Sequence, residues 1–211
     1  MSEIFIYFKK YNLTGVDYLE RQIIKQFIKF IPGINPTRAE KQYPHQDFIY
    51  YDQAAFELDF KHDSGIIEDD STPAQNLLAV NKGDIIISNS LQMAAIVGEG
   101  NVGKIPSINF TKAEFISEEL DKRYFIYLFN AHTDVARQKE RELQGTGHIK
   151  RIPIKSLEQI KIPIIPREEQ RKIGRIYSET LKLQNRINQY AEQIGQFTTA
   201  VLERSIKEKM K

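Results

Sequence analysis

Two short stretches carry the residue types that catalysis needs. Gly98-Glu99-Gly100-Asn101-Val102-Gly103-Lys104 has the G-x-x-x-x-G-K spacing of a loop that wraps a phosphate in backbone N–H groups and a lysine. Such a loop needs a Ser or Thr hydroxyl next, for Mg²⁺, and then a helix N-terminus. Here Ile105 and Pro106 follow, and Ile105–Phe110 is strand-like, so the stretch reads as a turn between strands. Asp59-x-Lys61, with Asp47 and Asp52 upstream, has the acid…acid-x-Lys spacing of metal-dependent nucleases, a pattern short enough to arise by chance. His45, His62, His132 and His148 are scattered, and His132-x-Asp134 lacks a third ligand at a recognisable spacing. With no cysteine there is no disulfide, thiolate nucleophile or thiolate metal site. No Ser-His-Asp arrangement stands out, and no catalytic residue or cofactor is assigned.

What remains is binding chemistry. Arg137, Lys139, Arg141, His148, Lys150 and Arg151 fall within one 15-residue stretch. Lys61-His62 and Asn89-Ser90-Leu91-Gln92 lie in predicted loops. Arg and Lys neutralise phosphates, and Asn and Gln amides match adenine edges. The whole chain carries 30 basic and 28 acidic side chains in 211 residues, a formal charge of +2. That excludes a protein that binds by bulk charge and permits a local basic groove. Hydrophobic residues at 41% and charged residues at 27% describe a globular chain. No run approaches the roughly 20 apolar residues of a membrane span, and no signal peptide is evident, so the expectation is a cytoplasmic protein without a membrane partner.

Mixed α and β elements must position these groups. Thr14–Asp17 caps a predicted helix to about Phe30, with Leu19, Ile23, Ile24, Phe27 and Ile28 as its apolar positions. Phe48–Tyr51 reads as a strand. Leu77–Val80, a turn at Asn81–Asp84, and Ile85–Ser88 read as strand, turn, strand. Met93–Val97 and Lys104–Ile108 suggest a hairpin around the Gly-rich turn. Glu118 to about Asn130 reads as a buried helix, and Ile152–Ile154 and Ile160–Ile162 as short strands.

The character changes at Ile162-Pro163-Ile164-Ile165-Pro166. Residues 1–165 hold 20 basic and 22 acidic side chains, and residues 166–211 hold 10 and 6. We place a domain boundary there. Pro166 and Glu168-Glu169 suit a helix start. Apolar positions then step by three and four: Ile173, Ile176, Thr180, Leu183, Ile187, Tyr190, Ile194, Phe197, Val201. So narrow a stripe, outlasting the flank of a small domain, points to a coiled coil with another long helix.

The order of several pieces resembles one family. Gly145–Pro153 (GTGHIKRIP), Leu157–Pro166 (LEQIKIPIIP) and Glu169–Gly174 (EQRKIG) resemble the strand, connector and helix start of the specificity subunits of type I restriction–modification systems. Lys82–Ser88 resembles the family's Gly-Asp-Ile strand, and Tyr124–Asn130 the helix that follows. The resemblance runs over roughly 30–205, and residues 1–30 match no pattern of it. It implies an α/β (α+β) target recognition domain, 1–165, followed by a coiled-coil helix, 166–211, in a half-length form. It implies a non-enzymatic reader of double-stranded DNA that forms a homodimer through its helix. It also implies docking to a methyltransferase subunit and, in the full complex, a restriction (motor/nuclease) subunit. On that reading Lys61, Asn89, Ser90, Gln92, Arg137, Lys139, His148 and Lys150 are the candidate DNA contacts. The nuclease built on Asp47, Asp59 and Lys61, and a coiled-coil adaptor that never touches DNA, are the alternatives.

Overall fold

The computed structural model describes residues 21–42, 48–61, 79–145 and 150–209. Strands β1 (Arg21–Ile23) and β2 (Ile28–Pro32) flank a 3-10 turn, and α1 (Pro36–Gln42) follows. Next come β3 (Tyr50–Tyr51), α2 (Gln53–Lys61), β4 (Ile85–Ser88), β5 (Met93–Ile96), β6 (Ile105–Pro106) and β7 (Phe110–Phe115). Helices α3 (Lys122–Ala131), α4 (Thr133–Glu142) and α5 (Ile154–Leu157), strand β8 (Lys161–Pro163) and the long α6 (Arg167–Lys209) complete the order.

The centre is an antiparallel sheet in the order β2-β7-β4-β5. Its middle strand reads Ile85-Ile86-Ile87, with no polar alternate, because both faces are buried. Ile85 and Ile87 join Phe30, Ala94 and Ala113 against Phe125, Leu128 and Phe129 of α3. Ile86 faces the other way, with Ala95 and Phe110, against Tyr51 and Phe56. Strand β1 pairs antiparallel with β8, and β3 pairs parallel with β6.

Four expectations are corrected. The predicted helix to Phe30 is, over its described part, strand, 3-10 turn and strand. The Ile24–Gln26 turn still sends Ile24, Phe27 and Ile28 into one core, so the helical spacing is met without a helix. The hairpin is β4–β5 rather than Met93–Val97 with Lys104–Ile108. The Gly-rich stretch is held from outside, as Gly98 N–H donates to Asp59 (3.0 Å) and Gly103 N–H to the Val80 carbonyl (2.9 Å), and this aims β6 at β3. Ile154 opens the short α5 instead of ending a strand, because the Pro153 carbonyl accepts from Ser156 and Leu157. The turn before β4, the buried α3 and the strand around Ile162 are as expected. Ala79 and Val80 are not strand, and Leu77-Leu78 lie outside the described residues.

Helix α6 is roughly 65 Å long at ~1.5 Å per residue. Its first turns belong to the domain. Gln170 is buried and makes three bonds: it accepts from Asp121 N–H and donates to the Glu119 and Ile165 carbonyls, each at 2.8 Å. Asp121 in turn caps α3 through the N–H groups of Arg123 and Tyr124. Gly174 and Ser178 are buried below it, Ile173 and Tyr177 pack on the core, and the Asn185 amide donates to the Lys61 carbonyl. Ile173 therefore belongs to the domain, not to the exposed seam. At 100° per residue, Ile176 lies about 200° and Leu183 about 180° around the helix from Gly174. The seam thus faces away from the domain, and Ile176, Leu183, Ile187, Tyr190, Ile194, Phe197 and Val201 are all exposed. Among the described residues no helix is long and apolar enough to cross a membrane.

Candidate nucleic-acid interface

The antiparallel hairpin β4–β5 closes through a four-residue turn, Asn89–Gln92, at one end of the sheet. Gln92 N–H donates to the Ser88 carbonyl (2.9 Å), and Ser88 Oγ lies 3.3 Å from Ser90 Oγ. Asn89 spans to the next turn, donating to the Ile108 carbonyl (3.2 Å) and accepting from Thr111 Oγ1 (2.9 Å). The turn Ser107–Asn109 therefore lies beside it. Arg151 reaches the same place, donating from Nη2 to Asn109 Oδ1 at 2.7 Å. Together Ser90, Ser107, Asn109 and Arg151 line a cleft of about 240 Å³ with Asp52 and Gln53. Lys150 is exposed next to Arg151, and His148 lies outside the described residues.

Such a cleft offers hydroxyls, amides and a guanidinium, the groups that bond base edges. Sequence reasoning singles out Ser90 and the basic stretch that holds Arg151 but misses Asn109 and Ser107. Their signal would have been the polar turn between Pro106 and Phe110.

Other candidates sit elsewhere. Lys61 ends α2, eight residues or about 12 Å from Gln53 in the cleft, and pairs with Glu57 at 3.7 Å. Arg137 is exposed and 3.8 Å from Asp134, which is itself 2.6 Å from Arg21. Lys139, expected to meet phosphates, is buried: its Nζ donates to the carbonyls of Gln92 (2.7 Å) and Phe129 (2.5 Å). Burial pushes its pKa down to about 8. Gln92, expected to read a base, turns its side chain inward: Nε2 donates to the Asn89 carbonyl and Oε1 is buried. Two residues with the right polarity are thus used inside the fold.

The nuclease pattern dissolves in the same way. Asp59 is buried, accepting from the Tyr51 hydroxyl (2.7 Å) and Gly98 N–H. Asp47 lies outside the described residues, and among these no cluster of three His, Asp or Glu side chains is placed to hold a metal. Lys104, the lysine of the phosphate-loop pattern, donates to Asn101 Oδ1 (2.7 Å) at the end of a 3-10 turn. Desolvation raises the Asp59 pKa, opposed by its hydrogen bonds from Tyr51 and Gly98. An acid with a folded pKa above its unfolded value, about 4, loses stability as pH rises from the unfolded to the folded value. Asp59→Asn removes that titration; its Oδ1 still accepts from Gly98 N–H, while its Nδ2 can only donate to the Tyr51 oxygen, reversing that bond. Relative to wild type, the variant therefore gains stability as pH rises through that window. Urea unfolding across the window reads this, and parallel pH profiles would show that folding leaves the Asp59 pKa where it is in the unfolded chain.

Comparison with known proteins bears on this arrangement. The family model described as "Type I restriction modification DNA specificity domain" matches residues 24–194. Comparison with the curated proteins returns no match. Among solved structures, the HsdS subunit from Thermoanaerobacter tengcongensis is similar over 82% of this chain and 39% of its own, with 16% identity and a TM-score of 0.50. A structure described for complex assembly and conformational transition of the type I R-M system matches 89% of this chain and 44% of its own, with 16% identity and a TM-score of 0.56. The chain thus spans less than half the length of these structures and shares their fold: a mixed α/β domain followed by a long helix. With the family model covering the sheet, the cleft segments and the first half of α6, the chain belongs to the type I restriction–modification DNA specificity domains.

Proposed function

We propose that this chain reads one half of a two-part DNA target and joins a second copy through α6 to read the other half. The observation that carries the reading is the cleft, where amides, hydroxyls, a guanidinium and the Asp52 carboxylate from four separate segments converge at one end of the sheet. Ser90, Asn109 and Arg151 meet base edges there, Asn89 braces the turn and offers its remaining amide hydrogen, and Lys150 meets phosphate. His148 lies outside the described residues and is kept as a contact on its sequence position alone. Arg137 and Lys61 serve at most as outlying phosphate contacts. The division of labour falls near residue 165: residues before it recognise and residues after it pair. The paired helices set the distance between half-sites. Their remaining surface docks methyltransferase subunits and, through them, the restriction subunit.

Two identical readers related by a two-fold axis recognise inverted half-sites. Expressing the chain in cells with its methyltransferase subunit and mapping methylated bases should give an inverted repeat with a fixed gap. A motif without two-fold symmetry overturns the pairing of identical copies. Arg151→Ala should cost about 1–3 kcal/mol on the target and relax the motif at one position per half-site. Lys150→Ala should weaken all sequences alike and lower the salt slope by about 1. An Arg151→Ala protein with an unaltered motif removes Arg151 from the reading face.

A further inference from the structure

Lys139 is an uneconomical residue for a core. Its ammonium is buried, and among the described residues no carboxylate forms an ion pair with it. Glu140 beside it offsets only part of the cost of burying the charge. An apolar side chain of similar volume would fill the place at less cost. What the ammonium does there is specific. It sits 4.1 Å from the centre of the Phe129 ring and bonds the Phe129 carbonyl near the end of α3. It also bonds the carbonyl of Gln92, the last residue of the β4–β5 turn.

Gln92 is the one non-glycine residue with positive φ, +55°, among the described residues. A residue in that left-handed region is held there by its surroundings. One step further along β5, Asn130 grips the same edge strand: its Oδ1 accepts from Ala94 N–H (2.7 Å) and its Nδ2 donates to the Ala94 carbonyl (2.9 Å). The amide stands in for a neighbouring strand, on the edge that β5 leaves unpaired. The turn carrying Asn89 and Ser90 is therefore fastened from behind, at Gln92 and at Ala94, by α3 and α4.

We infer that Lys139 and Asn130 are positioning residues for target discrimination, fixing the Asn89–Gln92 turn so that Ser90 faces the cleft in one geometry. This rests on the cleft being the reading face and deepens it. Neither residue touches DNA. Base readout needs donors and acceptors placed to within hydrogen-bond tolerance, so a loosened turn loses sequence preference while phosphate contacts persist.

The test uses the full chain with its methyltransferase subunit and a randomised DNA duplex library. Lys139→Met and Asn130→Ala are compared with wild type, Ser90→Ala and Arg151→Ala. Both positioning variants should lose about tenfold in the ratio of target to scrambled affinity, the equivalent of one hydrogen bond of discrimination. The loss should be confined to base positions that Ser90→Ala also relaxes, with an unchanged salt slope and faster amide exchange over residues 89–92. Equal weakening on all sequences with a salt slope lower by about 1 would make Lys139 a phosphate contact and overturn the inference. So would an unchanged motif in Lys139→Met and Asn130→Ala when Ser90→Ala or Arg151→Ala alters it. A motif untouched by all four variants, or no motif for wild type, overturns the cleft reading itself. If Lys139→Met does not fold, Asn130→Ala, which leaves the buried ammonium in place, decides alone.

Discussion

On the proposed pairing through α6, replacing Ile187 and Ile194 together by Asp should turn a dimer into a monomer of 24.5 kDa. Both side chains stand on the face of α6 turned away from the domain, 57% and 66% exposed in the single chain. The seam runs from Ile176 to Val201, so an antiparallel pair centred on it sets Ile187 near Tyr190 and Ile194 near Leu183 of the second copy. The double substitution then places four carboxylates among apolar side chains. Burying an unpaired charge costs several kcal/mol. A dimer with micromolar affinity has only about 8 kcal/mol to lose. Light scattering after size exclusion reads the mass. The melting of the domain should be unchanged, because neither residue packs against it. Equal masses for wild type and variant would remove the seam as the pairing surface.

A second large effect is expected at Gly174, and α6 provides its own control. A Cβ built there would lie 2.7 Å from Arg123 Cβ and Tyr124 N and 2.8 Å from Arg123 C. Most of these are backbone atoms at the start of α3, so they cannot swing aside. Gly174→Ala should destabilise by about 1–3 kcal/mol, the cost of overpacking, even though Ala is the better helix former. Gly195 sits in the same helix with nothing within 4 Å of its built Cβ. Gly195→Ala should stabilise by about 0.5–1 kcal/mol. For a chain of this size each kcal/mol moves the melting temperature by about 2–4 °C. Opposite signs for the two variants test the close approach of α6 to α3. Equal signs would mean that the helix does not sit this tightly on the domain.

Elements with a strong periodic signature were legible in the sequence. Ile85–Ser88, the aromatic run of α3 and the three-four stepping of α6 each carry one pattern from end to end. The segment before Phe30 misled because Ile23, Ile24, Phe27 and Ile28 satisfy a helical period while a 3-10 turn between two strands buries most of the same set. Helix α4 carries no sequence signature of a helix because it buries little apart from Val135 and Lys139, so its sequence shows only as a basic stretch. In the candidate interface, Ser90 was visible in a predicted loop and Arg151 within the basic stretch. Which polar groups face outward was not. Lys139 and Gln92 differ from Arg151 and Ser90 only in three-dimensional company, and nothing in residue type or spacing distinguishes an ammonium spent on carbonyls from one free to meet phosphate. The conspicuous Glu169-Gln170 pair has a physical meaning that only packing reveals. Its glutamine joins the connector, the cap of α3 and the helix start in one buried knot.

The pairing of β1 with β8 has a consequence for how the chain is made. Arg21 meets Pro163 and Ile23 meets Lys161, so two of the earliest described residues wait for partners some 140 positions later. Closing so long a loop is entropically slow, and nothing local rewards it beforehand. On the ribosome the β4–β5 hairpin can form as soon as it emerges. Ile24 and Ile28 must stay without their final neighbours until Ile160 and Ile162 are synthesised. A nascent chain stalled before residue 160 should accordingly be bound by chaperones and cut readily by protease. One stalled past Pro163 by the length of the exit tunnel should resist, with most of α6 made but still held inside the tunnel.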